Sequence, residues 1–226
     1  MVNYKIYWGV MMATINLHFG DSLAAMRAMP DQCYDLAIVD PPYGIAQIGS
    51  FRAPGGDKPI AVQMKTRILA QQVDKMREWD IVPPPEYFEE LRRVSKNQII
   101  WGGNYFDLPP TRCVLCWDKV QPWPNYSQIE MAWTSYTKTA KLFRFDNRTG
   151  GKIHPTQKPV ELYQWCLEHF AQPGDRILDT HLGSGSIAIA CHNMGYDLDA
   201  WELDPEYHAA ALARFTQHTQ QLQLPW

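Results

Sequence analysis

No apolar run in the chain approaches the ~18 residues that a membrane-crossing helix requires, so a helical membrane protein is excluded. Neither charge is in excess: 21 Lys and Arg stand against 24 Asp and Glu, for a net charge of −3 and a pI of 6.1. That balance argues against a uniformly basic nucleic-acid binder, although whole-chain totals hide local fields. The 14 glycines and 17 prolines are too few and too irregular for a collagen-like or low-complexity chain. Cysteine is sparse and odd in number, at Cys33, Cys113, Cys116, Cys166 and Cys191. Reduced thiols and a cytoplasmic protein are therefore expected. Cys113 and Cys116 have the spacing of half a zinc site, but no second pair completes it. They read as strand core, and no metal is expected.

What is present is the apolar content of a packed protein. With 226 residues and 46% hydrophobic content, the chain is long enough for one sizeable core. Residues 1–13 are expected to be an N-terminal extension. Its apolar stretch Ile6–Ala13 lacks the cleavage site of a signal peptide, and Met12 is an alternative start. A single domain is expected over 14–217, with a tail over 218–226.

Within that domain strands and helices alternate. Strands are expected at Thr14–Gly20, Tyr34–Val39, Gln98–Trp101, Cys113–Trp117, Ile129–Trp133, Leu142–Phe145, Arg176–Leu178 and Leu198–Glu202. Helices are expected from Asp21-Ser22 through Met29, over Pro84–Ser95, from Pro159 through Phe170, over Ser184–Met194 and over Pro205–Gln217. The alternation predicts an α/β fold, a doubly wound and mostly parallel sheet with helices on both faces. Two stretches interrupt it, the loops 45–80 and 137–153. Both are basic. In the second, Lys138, Lys141, Arg144, Arg148 and Lys152 face Asp146 alone, and Lys158 follows closely. These loops are the candidate DNA-contacting segments. The residues from Glu161 to His208 are by contrast strongly acidic.

In a sheet of this kind ligands gather at the carboxyl ends of the strands. The turn Asp179-Thr180-His181-Leu182-Gly183-Ser184-Gly185-Ser186 joins a strand to a helix. Its glycines let backbone approach a ligand, and the helix start offers free amides. Glu202 ends the next strand, where an acid can hold a ribose. This much suits any nucleoside cofactor. A phosphate-binding P-loop is excluded, because no Gly-Lys-Ser/Thr follows.

Asp40-Pro41-Pro42-Tyr43 is more specific. Neither proline carries an amide hydrogen and both have fixed φ, so the loop is stiff and its carbonyls remain acceptors. An acid, an aimed carbonyl and an aromatic face can together hold a planar amino group. Accepting both amino hydrogens draws the nitrogen lone pair out of conjugation and makes it nucleophilic.

With His154-Pro155-Thr156-Gln157-Lys158-Pro159 added, the three motifs resemble the amino-group DNA methyltransferases. Their order, catalytic loop first and cofactor turn last, is similar to the beta group of that family, whose Rossmann-like fold is permuted. The resemblance covers Thr14 to Phe215. It implies S-adenosylmethionine as methyl donor and DNA as partner, and it allows a homodimer. Asp40 and the Pro41 carbonyl would hold the target amine, with Pro42 stiffening the loop and Tyr43 stacking on the extruded base. Asp40 would also lie near the methionine amine. Asp21 would touch the cofactor adenine and Glu202 the ribose. Thr156, Lys158 and Asp179 would lie near the methionine end, wrapped by Gly183, Ser184, Gly185 and Ser186. Thr180, His181 and Ser186 stand where the family more often has Pro, Phe and Thr. His181 is expected to fill space at the cofactor in place of phenylalanine.

The acid at Asp40 favours adenine N6 as the methylated atom, with cytosine N4 as the alternative. Cytosine C5 chemistry needs a Pro-Cys nucleophile, and none of the cysteines follows a proline. A protein glutamine methyltransferase would carry Asn at position 40. A dehydrogenase would leave Asp40–Tyr43 without purpose, and a catalytically silent DNA-binding or cofactor-sensing module would not need Asp40 and Tyr43 intact. The aromatic loop with Trp117, Trp123 and Tyr126 is expected to be core or dimer surface in preference to a base wedge.

Overall fold

The computed structural model describes residues 13–45, 80–121, 127–146 and 157–221. The elements run β1 (Ile15–Phe19), α1 (Ser22–Arg27), β2 (Tyr34–Val39), α2 (Pro85–Val94), β3 (Ser95–Trp101) and a short 3-10 turn at Gly103–Tyr105. They continue with β4 (Leu115–Asp118), β5 (Ile129–Thr134), β6 (Lys141–Arg144), α3 (Val160–Phe170), β7 (Arg176–Asp179), α4 (Ser186–Met194), β8 (Asp197–Glu202) and α5 (Pro205–Gln221). One eight-stranded sheet contains every strand, in the order β1-β8-β7-β2-β3-β5-β4-β6. The pairs from β1 to β3 are all parallel. Only β5 runs against its neighbours β3 and β4.

The predicted α/β architecture is the one observed. Strand alternation sends Leu36, Ile38, Ile99, Trp101 and Ile177 to the face covered by α3, α4 and α5. Ala37, Val39, Ile100 and Leu178 go to the face covered by α1 and α2. On α2 the apolar residues Tyr87, Phe88, Leu91 and Val94 fall at helical spacing and all are buried.

The differences lie at element ends. Strand β4 begins at Leu115 rather than Cys113, because the Cys113 carbonyl is drawn aside by the Thr134 hydroxyl at 2.7 Å. Helix α4 begins at Ser186, after the glycine turn rather than within it, and α5 runs to Gln221, past the expected boundary at 217. All five cysteines are unpaired; Cys113 is buried and Cys116 half-buried. Trp117 is core, its indole N–H donating to the Phe145 carbonyl at 3.0 Å. Trp123, Tyr126, the extension 1–12 and most of the 45–80 loop lie outside the described residues. No described helix is long and apolar enough to cross a membrane.

One cluster explains how the strands nearest the edge are locked together. Asp199 on β8 is buried, and its carboxylate accepts from Asn16 and from Arg176, with the Tyr34 hydroxyl and a His18 ring nitrogen also on it. Burial alone would raise its pKa, but these partners outweigh it and bring it down to about 2. The acid thus ties β1, β7 and β2 to β8.

Candidate active site

Four adjacent parallel strands carry an acid at or just beyond their carboxyl ends: Asp40 after β2, Asp179 on β7, Glu202 on β8 and Asp21 after β1. With neighbouring strands about 4.8 Å apart, the row spans roughly 14 Å. The crevice lies between β7 and β2, where the chain turns outward in opposite directions to β8 and β3.

These acids influence one another. Asp179 is buried, which pushes its carboxyl up to about 8 despite the His181 backbone N–H that it accepts at 3.0 Å. Asp40 and Glu202 push in the same direction. Glu202 is also raised by burial, against the Asp204 and Gly183 amides that it accepts at 3.0 and 2.8 Å. A buried carboxyl whose charge is disfavoured by two neighbouring acids is suited to a cationic ligand.

At the Asp40 end the loop is tightly built. The Tyr43 hydroxyl donates to Asp40 Oδ1 at 2.6 Å. The Lys158 ammonium lies 2.5 Å from Asp40 Oδ2 and donates to the Tyr43 hydroxyl at 3.1 Å. The Tyr43 ring stacks on Tyr105 with centroids 5.0 Å apart and planes 18° apart. Its other close neighbour is Gly102, at φ +71°, where a Cβ would fall 2.1 Å from the ring. Asp80 braces the loop from below by accepting the Gly44 N–H at 2.9 Å. The hydroxyl of Tyr43 is thus as engaged as its face, an anchoring that the stacking role alone does not require.

The glycine turn is held from inside. Arg214 on α5 donates to the Ser184 carbonyl at 2.8 Å and to the Ser186 hydroxyl at 2.9 Å. Ser186 in turn donates to the Lys158 carbonyl at 2.8 Å and lies 3.0 Å from the Ser184 hydroxyl. Both serines are buried, so their hydroxyls fasten the turn rather than line it. Gly185, at φ +74°, lets α5 pack close: a Cβ would lie 3.3 Å from that of Ala211. His181 packs edge-on against Tyr87 at 5.4 Å, and burial lowers its pKa to about 4. It is a neutral wall at neutral pH.

The expected residues are brought together only in part. Lys158 meets the row of acids at its Asp40 end. Asp21 caps α1 by accepting the Leu23 N–H at 2.9 Å. In the β4–β6 register Lys141 pairs with Leu115 and Arg144 with Asp118, so only Arg144 lies toward the catalytic edge. Lys138 is at the opposite edge, donating to the His169 carbonyl at 3.0 Å at the end of α3. Lys138 and Lys141 are therefore not part of one basic patch with Arg144. Thr156, Arg148 and Lys152 lie outside the described residues.

Other residues at this edge carry no signature in the sequence. Phe19 and Leu203 are 60% and 68% exposed beside Glu202, an open apolar surface for a flat ring. Glu130 and Tyr105 approach Lys158 and Tyr43. Among the described residues no cluster of His, Cys, Asp and Glu could hold a metal.

The sequence profile of the DNA methylases, the N6_N4_Mtase family, matches residues 63–213, more than half of the chain. The chain belongs to that family. YubD of Escherichia coli (strain K12) is 25% identical over 222 residues, covering 86% of this methylase and 87% of YubD. Among solved structures, the cytosine-N4-specific PvuII DNA methyltransferase superposes with a TM-score of 0.59 at 13% identity, over 94% of this chain and 93% of that one. TTHA0409 of Thermus thermophilus, complexed with S-adenosyl-L-methionine, gives a TM-score of 0.53 at 18% identity, over 91% and 96%. The same fold thus stands behind the methylase site.

Proposed function

We propose that this DNA methylase transfers the methyl group of S-adenosylmethionine to the exocyclic N6 of adenine in a base extruded from duplex DNA. The observation that carries this is the row of acids from Asp40 to Asp21, which ends at a loop able to hold an amine. S-adenosylmethionine bears a positive sulfonium and a positive ammonium, and it supplies a methyl group already activated for transfer. Asp179, near its own pKa at neutrality, would face those charges. Glu202 has acceptor capacity left for ribose hydroxyls, each of its oxygens holding one backbone N–H. Phe19 and Leu203 would cover the adenine, with Asp21 at its edge.

At the other end Asp40 and the Pro41 carbonyl would accept the two amino hydrogens of the target base, localising the lone pair on nitrogen. Tyr43 would pack against the base, which reaches the loop only by leaving the stack, at a cost of a few kcal/mol. The protein's share of catalysis is then positioning and electrostatic fit. The acid at position 40, by resemblance, favours adenine over cytosine. Arg144, with Arg148 and Lys152, is proposed to meet DNA phosphates, which gives affinity without sequence information.

Transfer of labelled methyl from S-adenosylmethionine to DNA tests the activity, and Glu202→Ala tests the cofactor assignment. Charge-assisted hydrogen bonds of this kind contribute about 1.5–3 kcal/mol. The variant is expected to bind S-adenosylmethionine roughly 10–150-fold more weakly by calorimetry. Unchanged affinity would remove Glu202 from the site.

A further inference from the structure

The Lys158 side chain is 3% exposed, and its ammonium sits between two carboxylates on opposite sides of the site. Asp40 Oδ2 is 2.5 Å away on the loop after β2, and Glu130 Oε2 is 3.1 Å away on β5. With Tyr43 on Oδ1 and Lys158 on Oδ2, each oxygen of Asp40 already holds one donor and has one acceptor site left. An amine arriving at Asp40 has to compete with a full positive charge, and the same charge weakens Asp40 as an acceptor. The loop accepts an amine better once the lysine is drawn off Asp40.

Glu130 offers it somewhere to go. The 3.1 Å contact lacks hydrogen-bond alignment, so Oε2 is buried without a hydrogen-bond partner among the described residues. The ion pair with the ammonium already compensates this oxygen in part, and a closer approach would complete it. The other oxygen of Glu130 is paired with Lys119, which fixes the carboxylate in place. Burial would raise the Glu130 pKa, but Lys158 and Lys119 outweigh it and keep the group charged. The strand register, with Glu130 opposite Trp117, holds it at the catalytic edge.

We propose that Glu130 is a positioning residue that draws the Lys158 ammonium off Asp40 when the target amine docks there. This rests on Asp40 being the amine acceptor. The nitrogen lone pair forms the N–C bond while the S–C bond breaks and its electron pair stays on sulfur. The nitrogen is then left with one proton too many. With the ammonium on Glu130, Asp40 is the stronger base and takes that proton. The charged and titratable groups facing Lys158 are Asp40 and Tyr43 from the loop after β2, Glu130 from β5, Asp179 from β7, and Tyr163 and Cys166 from α3. Burial would lower the lysine's pKa, but Asp40 and Glu130 more than reverse it.

The experiment is methyl transfer as a function of pH for the wild type, Glu130→Gln, Glu130→Asp, Lys158→Met and the Glu130→Gln/Lys158→Met double variant. Glu130→Gln is expected to lower kcat about 10–100-fold, as a misplaced catalytic group does, with KM for S-adenosylmethionine within about twofold. Its deficit should shrink as pH rises, because the ammonium, with one of its two anions gone, gives up its proton more readily and releases Asp40. Glu130→Asp should recover part of the rate. In the double variant, loss of Glu130 should add nothing to loss of Lys158. If the Gln variant does not fold, Glu130→Asp carries the same prediction in smaller size. An active wild type with an unaltered Glu130→Gln overturns this inference alone, as does a slower variant whose deficit does not change with pH, or additive losses. A wild type that transfers no methyl overturns the parent function as well.

Discussion

Asp40→Ala is expected to lower methyl transfer at least about 100-fold, and on the order of 1,000-fold, the range seen when one preorganised hydrogen-bonding group is removed from a transition state. The variant takes away an acceptor for the target amine and the acid nearest to the proton that the product must lose. It also strips Lys158 of its 2.5 Å partner and Tyr43 of the acceptor at 2.6 Å. A buried ammonium left with Glu130 alone destabilises the fold by roughly 3–5 kcal/mol, so activity has to be read on material shown to be folded by its unfolding transition. Asp40→Asn separates the two effects. It keeps the shape and one carbonyl acceptor, and is expected to lose less activity and less stability than the alanine variant. If folded Asp40→Ala retains more than about a tenth of wild-type activity, roughly 1.4 kcal/mol, Asp40 does not hold the reacting amine.

Gly102→Ala is the second large effect expected. The residue sits at φ +71°, where an alanine is strained by about 1–2 kcal/mol. The new methyl would fall 2.1 Å from Tyr43 Cε1 and 2.5 Å from Cδ1. The ring cannot simply swing aside, since Tyr105 lies along it and Asp40 holds its hydroxyl. It has to move by about an ångström or more, and a displacement of that size at a reacting group is worth about 100-fold in rate. Gly102 follows β3, outside the row of acids proposed to hold the cofactor, so S-adenosylmethionine affinity by calorimetry is expected to stay within a few-fold. Loss of cofactor binding in step with activity would show instead that the change spreads through the sheet.

The acid row was legible because it is a strand-end pattern. Asp21, Asp40, Asp179 and Glu202 each close a run that reads as a strand, and parallel sheets place such ends along one edge. The prolines at 41 and 42 marked the loop for the same local reason. Gly102 could be read only as a strand stop, since the ring seated on it comes from a residue 59 positions earlier in the sequence. Glu130 was invisible because it faces Lys158 only through the antiparallel turn of β5 against β4. Ser184 and Ser186 read as cofactor contacts in the sequence, and nothing in an amphipathic helix announces that Arg214 holds the Ser184 carbonyl and the Ser186 hydroxyl from inside. The basic stretch after Thr137 is divided between two edges for a simpler reason. Charge count says nothing about which edge of a sheet a residue faces, and the length of β6 separates Lys141 from Arg144 by about 10 Å.

The most direct test of the methylase reading is the identity of the modified base. Unmethylated DNA is incubated with the protein and S-adenosylmethionine, digested to nucleosides and separated. N6-methyladenine is the expected product. N4-methylcytosine would overturn the adenine assignment while keeping the site, and DNA carrying no new methyl group would contradict the proposed activity at its centre.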